Sequence, residues 1–415
     1  MITKANNGIG NSRQDNIPVF IFMVLFETPA FQRLKLLTVL VMLCGFRVSA
    51  VSLATHRPVP QLNKKDIRQI MKKVCDYQLN NFTNTTVMSN GKPEQIFNNG
   101  WIRGVFFTGV VATYEATGDS KYLSKAIAWG ESNNWELGKK ARNADDQVVS
   151  QVYIQLYAIR RDEKMIAHAK STFDAIVKDP MPGEKFGWSK NVNWSWCDAL
   201  FMAPPAYAML SKVTGNDSYV KAMDKMWWET SVYLYDDHDC LFYRDSAYKP
   251  KLNGLQKTEK NGKKIFWGRG NGWVLAGLAR VLENMPKNYS NRNKFVNQFV
   301  SMAKKLKHLQ GDDGLWRSSL YDQETYPDPE TSGSSLYCYA MAWGINNGIL
   351  SEKEFKPAVI KAWSRLVSKV NADGKLGSVQ KVGHEPTVVL PEDSNEYASG
   401  AFLHAGLEMI RMIKS

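Results

Sequence analysis

Residues 194–206 read WSWCDALFMAPPA. A single carboxylate, Asp198, stands there among aromatic, thiol and aliphatic side chains. Burying a carboxylate in such company is costly unless something pairs with it or uses it. Walling by Trp194, Trp196 and Phe201 would raise its pKa and keep it protonated. A carboxyl protonated near neutral pH is what a general acid requires. The competing reading is a structural ion pair with an arginine. Further along, FWGRGNGW (266–273) gathers Arg269, Asn271 and Trp273 in one glycine-rich turn. Glycine lets a ligand approach the backbone, a guanidinium fork suits a carboxylate, and an indole face suits a sugar ring. Asp145 and Asp146, in RNADDQ, precede an apolar helix, where N-capping accounts for acids equally well.

The elements that must position these residues are helical. From residue 64 on, Ile67, Ile70, Met71, Val74 and Leu79 fall at three- and four-residue steps along one face. An apolar helix, a polar turn and a Lys/Ala-rich helix then recur. YEATGDSKYLSKAIAWG (114–130) resembles YAMLSKVTGNDSYVKAM (207–223), with weaker echoes at 157–170, 282–300 and 346–363. Turn-to-turn spacing of roughly 45 to 70 residues fits a repeated αα-hairpin. No stretch alternates over several strands, and no GxGxxG follows a strand. Five or six such pairs predict an all-α fold, an (α/α) barrel formed as a single domain by residues 51–415. The second helix of each pair is expected to line the inside, and the long loops of one rim to carry the site. A straight helical solenoid is the alternative.

The formal charge of +13 favours acidic partners, but the basic residues are dispersed and form no sustained stripe. Nucleic-acid binding is therefore not expected. The 13 Trp, 17 Tyr and 18 Phe fit sugar stacking as well as a large core. The five cysteines show no CxxC or Cys/His cluster, so neither a zinc site nor a disulfide framework is predicted. Residues 33–50, RLKLLTVLVMLCGFRVSA, have the basic start, short apolar run and small-residue end of a secretory signal peptide. The run is too short for a membrane span. The expectation is a leader over 1–50 and export of the mature chain to the periplasm or outside.

ADDQ, WSWCDALFMAPP, WGRGNGW, PETSGS and AWGINNG, in that order, together resemble glycoside hydrolase family 105, the unsaturated rhamnogalacturonyl hydrolases, and their family 88 relatives. The resemblance implies an (α/α)6 barrel with the site in its central cavity and a reaction without metal or cofactor. The implied partner is an unsaturated acidic oligosaccharide, cut from pectic rhamnogalacturonan by a lyase. Hydration of its vinyl ether releases the terminal 4,5-unsaturated uronate. It also implies Asp198 as general acid and base, and one of Asp145 and Asp146 as a second essential carboxylate. Trp196, Arg269 and Trp273 become contacts of the unsaturated sugar. Many members carry a histidine in a Tyr-His-Gly-Trp-Asp segment. The matching stretch here is Phe242–Ser246, where Arg244 replaces it, adding a carboxylate contact or altering preference for the next sugar. Thr331, Ser332 and Gly333 are expected in a rim loop.

Two other classes compete. An inverting glycosidase or an epimerase could use the same scaffold, but an epimerase wants paired histidines. Of six histidines only His404 falls in a motif segment, on an apolar helix where a satisfied core residue is expected. A non-catalytic glycan-binding protein would explain the tryptophans and Arg269 and leave Asp198 without a use. N-terminal sequencing of the exported protein should find a start near Val51; a mature chain beginning at Met1 would refute the leader.

Overall fold

Helices that are apolar on nearly every side must be buried on every side, and those with one polar face must lie outside them. The two kinds alternate along this chain. The computed structural model describes residues 62–140, 142–180, 194–251 and 256–413, within one compact unit, Val59–Ser415. The expected leader lies outside the described residues. In chain order the first helices are α1 (Lys64–Asn80), α2 (Trp101–Thr117), α3 (Ser120–Ser132), the short α4 (Ala144–Gln147), α5 (Val149–Arg160) and α6 (Lys164–Lys178). The short α7 (Ala199–Met202) follows, then α8 (Pro204–Thr214), α9 (Ser218–Leu234), α10 (Gly268–Asn284), α11 (Arg292–His308), α12 (Thr331–Asn346), α13 (Glu352–Val367) and α14 (Glu396–Met412).

Helices α2, α5, α8, α10, α12 and α14 form the inner ring. Each packs on the next, and α14 packs on α2 to close it. The others of full length form the outer ring, each burying a single stripe, such as Phe355, Val359, Ala362, Trp363 and Leu366 on α13. This is the (α/α)6 barrel. One detail of the sequence expectation is reversed: the apolar helix before each Gly turn lines the inside, and the Lys/Ala-rich helix after it lies outside. The physical reason is polarity, because α3 and α9 each carry a charged face that is suited to solvent and not to the ring's interior. Gly118 (φ 68°) and Gly215 (φ 75°) end α2 and α8 in the left-handed region, which glycine enters without strain.

Two antiparallel hairpins decorate one rim: β1 (Thr85–Val87) with β2 (Pro93–Gln95), and β3 (Tyr235–Asp236) with β4 (Leu241–Phe242). Cys75, Cys197, Cys240 and Cys338 are free, and all but Cys240 are buried. Among the described residues no helix is long and apolar enough to cross a membrane.

Ring closure depends on backbone contact between α2 and α14. A Cβ on Gly109 would stand 2.7 Å from the Gly400 Cα, and one on Gly400 would stand 2.5 Å from the Val105 carbonyl oxygen. Above this contact, at the N-terminal ends, Arg103 Nε donates to Glu396 Oε2 at 2.6 Å, with both residues buried. Gly400→Ala should therefore cost about 1–3 kcal/mol by forcing the two helices apart. Urea unfolding checks it; an unchanged midpoint would mean that the ring relaxes without cost.

Candidate active site

All inner helices run in the same direction, so their N-terminal ends meet at one rim. Their first turns hold the ionisable residues. Asp145 lies in α4 leading into α5, Asp198 caps α7 leading into α8, Arg269 is the second residue of α10, and Glu330 caps α12. Helix N-termini present free N–H groups and a positive dipole end, which suits carboxylates and anionic ligands.

Asp198 is buried at the N-terminus of α7, yet its side chain makes no capping bond. The carboxylate is turned to other partners. Arg244 Nε lies 3.5 Å from Oδ2, and the Cys197 thiol donates to Oδ1 at 3.6 Å. Burial pushes the Asp198 pKa up, against the pull of the Arg244 and Arg269 guanidiniums. Arg244 is held by its own backbone, whose carbonyl accepts from the Cys197 N–H at 2.8 Å, and by Asp245, whose Oδ2 accepts from Nη1 at 2.6 Å. The candidate carboxylate and Arg244 are thus brought together.

The two neighbouring acids in ADDQ part company. The Asp146 carboxylate accepts the Lys140 N–H at 2.7 Å, and its backbone carbonyl accepts the Gly138 N–H at 2.9 Å. It ties down the loop before α4, and a Cβ on Gly138 would stand 2.4 Å from its Cγ. Asp145 has its N–H capped by Asn143 Oδ1, while its carboxyl lies in the fields of Asp198 and Arg244. Burial first, then the Asp198 charge, raise its pKa to about 7, with Arg244 opposing. Of the pair, Asp145 is the one that communicates with Asp198.

Two residues singled out for substrate contact, Arg269 and Trp273, sit differently from that expectation. Arg269 is 1% exposed, and its arms donate to the Gln380 and Lys381 carbonyls at 2.8 and 3.0 Å. Its guanidinium lies between the Trp267 and Tyr397 rings, 4.6 and 5.0 Å from their centroids. It shapes the wall and adds positive field at Asp198, and the fork is committed to backbone. Trp273 is 2% exposed and packs on Phe201 and Tyr397, so its faces belong to the core. Trp196 is half-buried beside Asp198. Thr331, Ser332 and Gly333, expected in a rim loop, form the first turn of α12. The Glu330 carboxylate accepts from the Ser332 and Gly333 N–H groups at 2.9 and 2.6 Å, which fixes the start of the helix there. His404 is a buried core residue, as its apolar helix implied.

The structure adds residues that the sequence did not single out. A cavity of about 280 Å³ next to Asp145 is lined by Glu94, Phe97, Trp101, Lys140 and Asn143. Trp101 stacks on Tyr397 at 5.2 Å and is only partly buried, so it keeps ring surface for a ligand. Glu94, on β2, is a third carboxyl here, its pKa raised by burial. Trp101 stood in an aromatic, glycine-rich segment and was legible as a candidate. Glu94 was not, because PEQ has no signature and only the hairpin fold carries it to the cavity.

A helical barrel with buried, coupled carboxylates and an arginine at one rim is the architecture of a carbohydrate-active hydrolase. Residues 70–413 match Glycosyl Hydrolase Family 88, and the chain belongs to that family. It is a glycoside hydrolase. It is 36% identical over 392 residues, 92% of this chain and 99% of the relative, to the "Unsaturated 3S-rhamnoglycuronyl hydrolase" of Formosa agariphila. It is 23% identical to the "Unsaturated rhamnogalacturonyl hydrolase YesR" of Bacillus subtilis, over 67% of this chain and 78% of that one. The solved "Glycosyl hydrolase family 88 from Bacteroides vulgatus" superposes with a TM-score of 0.74 at 30% identity, covering 85% of this chain and all of the other.

The Asp145 pKa yields a stability prediction. It is raised from the ordinary 3.8 to about 7, so ionising Asp145 costs folding energy. That cost is absent below 3.8, grows through the window to 7 and is complete above it. Asp145→Asn should therefore stabilise the protein by about 1–2 kcal/mol at pH 8, allowing for its partial exposure, and by little at pH 4. Thermal melts at both pH values test this; equal effects at both would show that the carboxyl titrates normally.

Proposed function

We propose that this hydrolase removes a 4,5-unsaturated uronate from the non-reducing end of lyase-cut oligosaccharides in which that uronate is joined to rhamnose. The observation that carries the proposal is Asp198, buried beside Arg244 at the convergent helix N-termini, with the partly buried Asp145 in the field of both. The rhamnose and the unsaturated uronyl unit are shared by the names of both curated relatives. Pectic rhamnogalacturonan is one source of such ends. The relative at 36% identity favours a second, in which the rhamnose is "3S", read here as carrying a sulfate at O3. A net charge of +13 suits either acidic polymer and suits the sulfated one better.

The chemistry follows from the pair. The Asp198 carboxyl gives its proton to C4 of the vinyl ether, leaving an oxocarbenium ion shared by C5 and O5. Asp145, next to it, stabilises that cation and takes a proton from the water that adds at C5. The C5 hemiketal opens as the C5–O5 bond breaks. The hemiacetal left at C1 then expels the rhamnose oxygen, and the sugar leaves as an open-chain keto acid. Arg244 balances the pair electrostatically and faces the substrate carboxylate. Asp146 holds the loop that presents Asp145. Export follows the leader-like residues 33–50.

Two experiments test this. Mixing the protein with unsaturated uronyl-rhamnose oligosaccharides, with and without O3 sulfate, should abolish the ultraviolet absorbance of the conjugated double bond. Asp198→Asn should lower kcat by about 10²–10⁴-fold with the fold intact. Absorbance that persists with every substrate, or a fully active Asp198→Asn, refutes the reading. Asp145 must be ionised to take a proton from water, and its carboxyl is raised to about 7. The acid limb of the kcat/KM profile should therefore rise through about pH 7. Arg244 lowers the pKa of both carboxyls, so Arg244→Met should move that limb to higher pH. A limb that does not move would remove Arg244 from the balance.

A further inference from the structure

At the opposite end of the barrel, where the inner helices terminate, a second cavity of about 310 Å³ is lined by Glu115, Arg280, Glu283, His404, Glu408 and Arg411. Ile159, 43% exposed, also lines it, so solvent reaches it. Its charged groups are unevenly paired. Arg411 takes up the carboxylates: Glu408 at 2.6 Å, Glu115 at 3.0 Å and Glu283 at 3.7 Å. Arg280 is different. It is 2% exposed and has no carboxylate within ion-pair distance among the described residues. Its Nε donates to Gln151 Oε1 at 2.8 Å, and its Nη1 lies 3.4 Å from His404 Nε2. Its Nη2, buried in the cavity wall, has no hydrogen-bond partner among the described residues.

A buried guanidinium whose bonded partners are neutral is only partly compensated, here by the field of the Glu115 carboxylate beyond ion-pair distance. The His404 imidazole gives no compensation: burial and then the Arg280 and Arg411 charges hold its pKa well below the usual range, so it is neutral. Glu115 and Glu408 are engaged by Arg411, and neither makes an ion pair with Arg280. The C-terminal dipole ends of the inner helices help, but that field fades within the last turn.

We propose that this cavity binds a small monovalent anion, such as acetate or chloride, on Nη2 of Arg280. The site is separate from the candidate active site and lies at the other end of the inner helices. It connects to that rim through one side chain: Gln151 accepts from Arg280 and donates through Nε2 to the Phe201 and Met202 carbonyls at 2.8 and 2.9 Å. Those residues belong to α7, the helix that begins at Asp198. An anion that fixes Arg280 therefore also braces the helix carrying the carboxyl.

Crystals of the full chain soaked in sodium bromide test the proposal directly. An anomalous peak is expected in contact with Arg280 Nη2; water alone at that position overturns the proposal. In solution, acetate should raise the melting temperature of the wild type by about 2–5 °C at a hundredfold excess over Kd. Arg280→Gln should lose that increment under the same salt. An identical acetate response in the two proteins overturns the proposal as well. If Arg280→Gln does not fold, the bromide experiment on the wild type decides alone. Neither measurement depends on which oligosaccharide the enzyme cleaves.

Discussion

The constraint on which the rest depends is that every inner helix points the same way. A chain that alternates an inner and an outer helix must return each time on the outside, so the inner N-termini accumulate at one rim and the C-termini at the other. The helix dipoles then add rather than cancel. One rim becomes a place where carboxylates and an anionic sugar are stabilised. The other becomes a place where arginines are. Asp145, Asp198, Glu330 and Glu396 at the first rim, and Arg280 and Arg411 at the second, follow that polarity, while Arg103 and Arg244 at the first and Glu115, Glu283 and Glu408 at the second pair against it.

Within the active rim the decisive balance lies between burial and Arg244. Burial pushes the pKa of both Asp145 and Asp198 up, and ionising both without a cation beside them would be costly. Arg244, 3.5 Å from Asp198 and neutralised in part by Asp245, makes one negative charge tolerable without fully ionising the pair. A histidine could lose its charge near neutral pH, whereas an arginine keeps it, so the positive field at Asp198 is permanent.

Much of this was legible in the sequence because burial and periodicity are local properties. The recurring apolar helix, polar turn and Lys-rich helix gave the barrel, and Asp198 stood out as a carboxylate with no polar neighbour. What was not legible depends on where long-range contacts fall. The order of inner and outer helices was misread because the turn fixes a pair and does not say which member faces the axis. Arg269 and Trp273 looked like ligand contacts because their chemistry suits a uronate. Their neighbours Gln380, Lys381, Phe201 and Tyr397 come from distant segments, and it is those that turn them into wall. Asp145 and Asp146 could not be separated by type, since the difference lies in the Lys140 and Gly138 backbone, which claims one of them.

The wall that absorbs Arg269 explains why a buried arginine belongs there. The segment around Gln380 has no helix or sheet of its own, so its backbone groups need partners from elsewhere. Arg269 donates to two of its carbonyls, the Tyr397 hydroxyl donates to one of them, and the Glu330 carboxylate accepts its Gln380 N–H at 3.1 Å. Those three residues stand at the starts of α10, α14 and α12. One irregular segment is therefore clamped by three helix N-termini. A charge placed there for structure also projects its field into the site, because Asp198 feels it without touching it. The same guanidinium serves the fold by hydrogen bonding and the chemistry by distance. A neutral replacement that kept the bonds would still leave Asp198 harder to ionise.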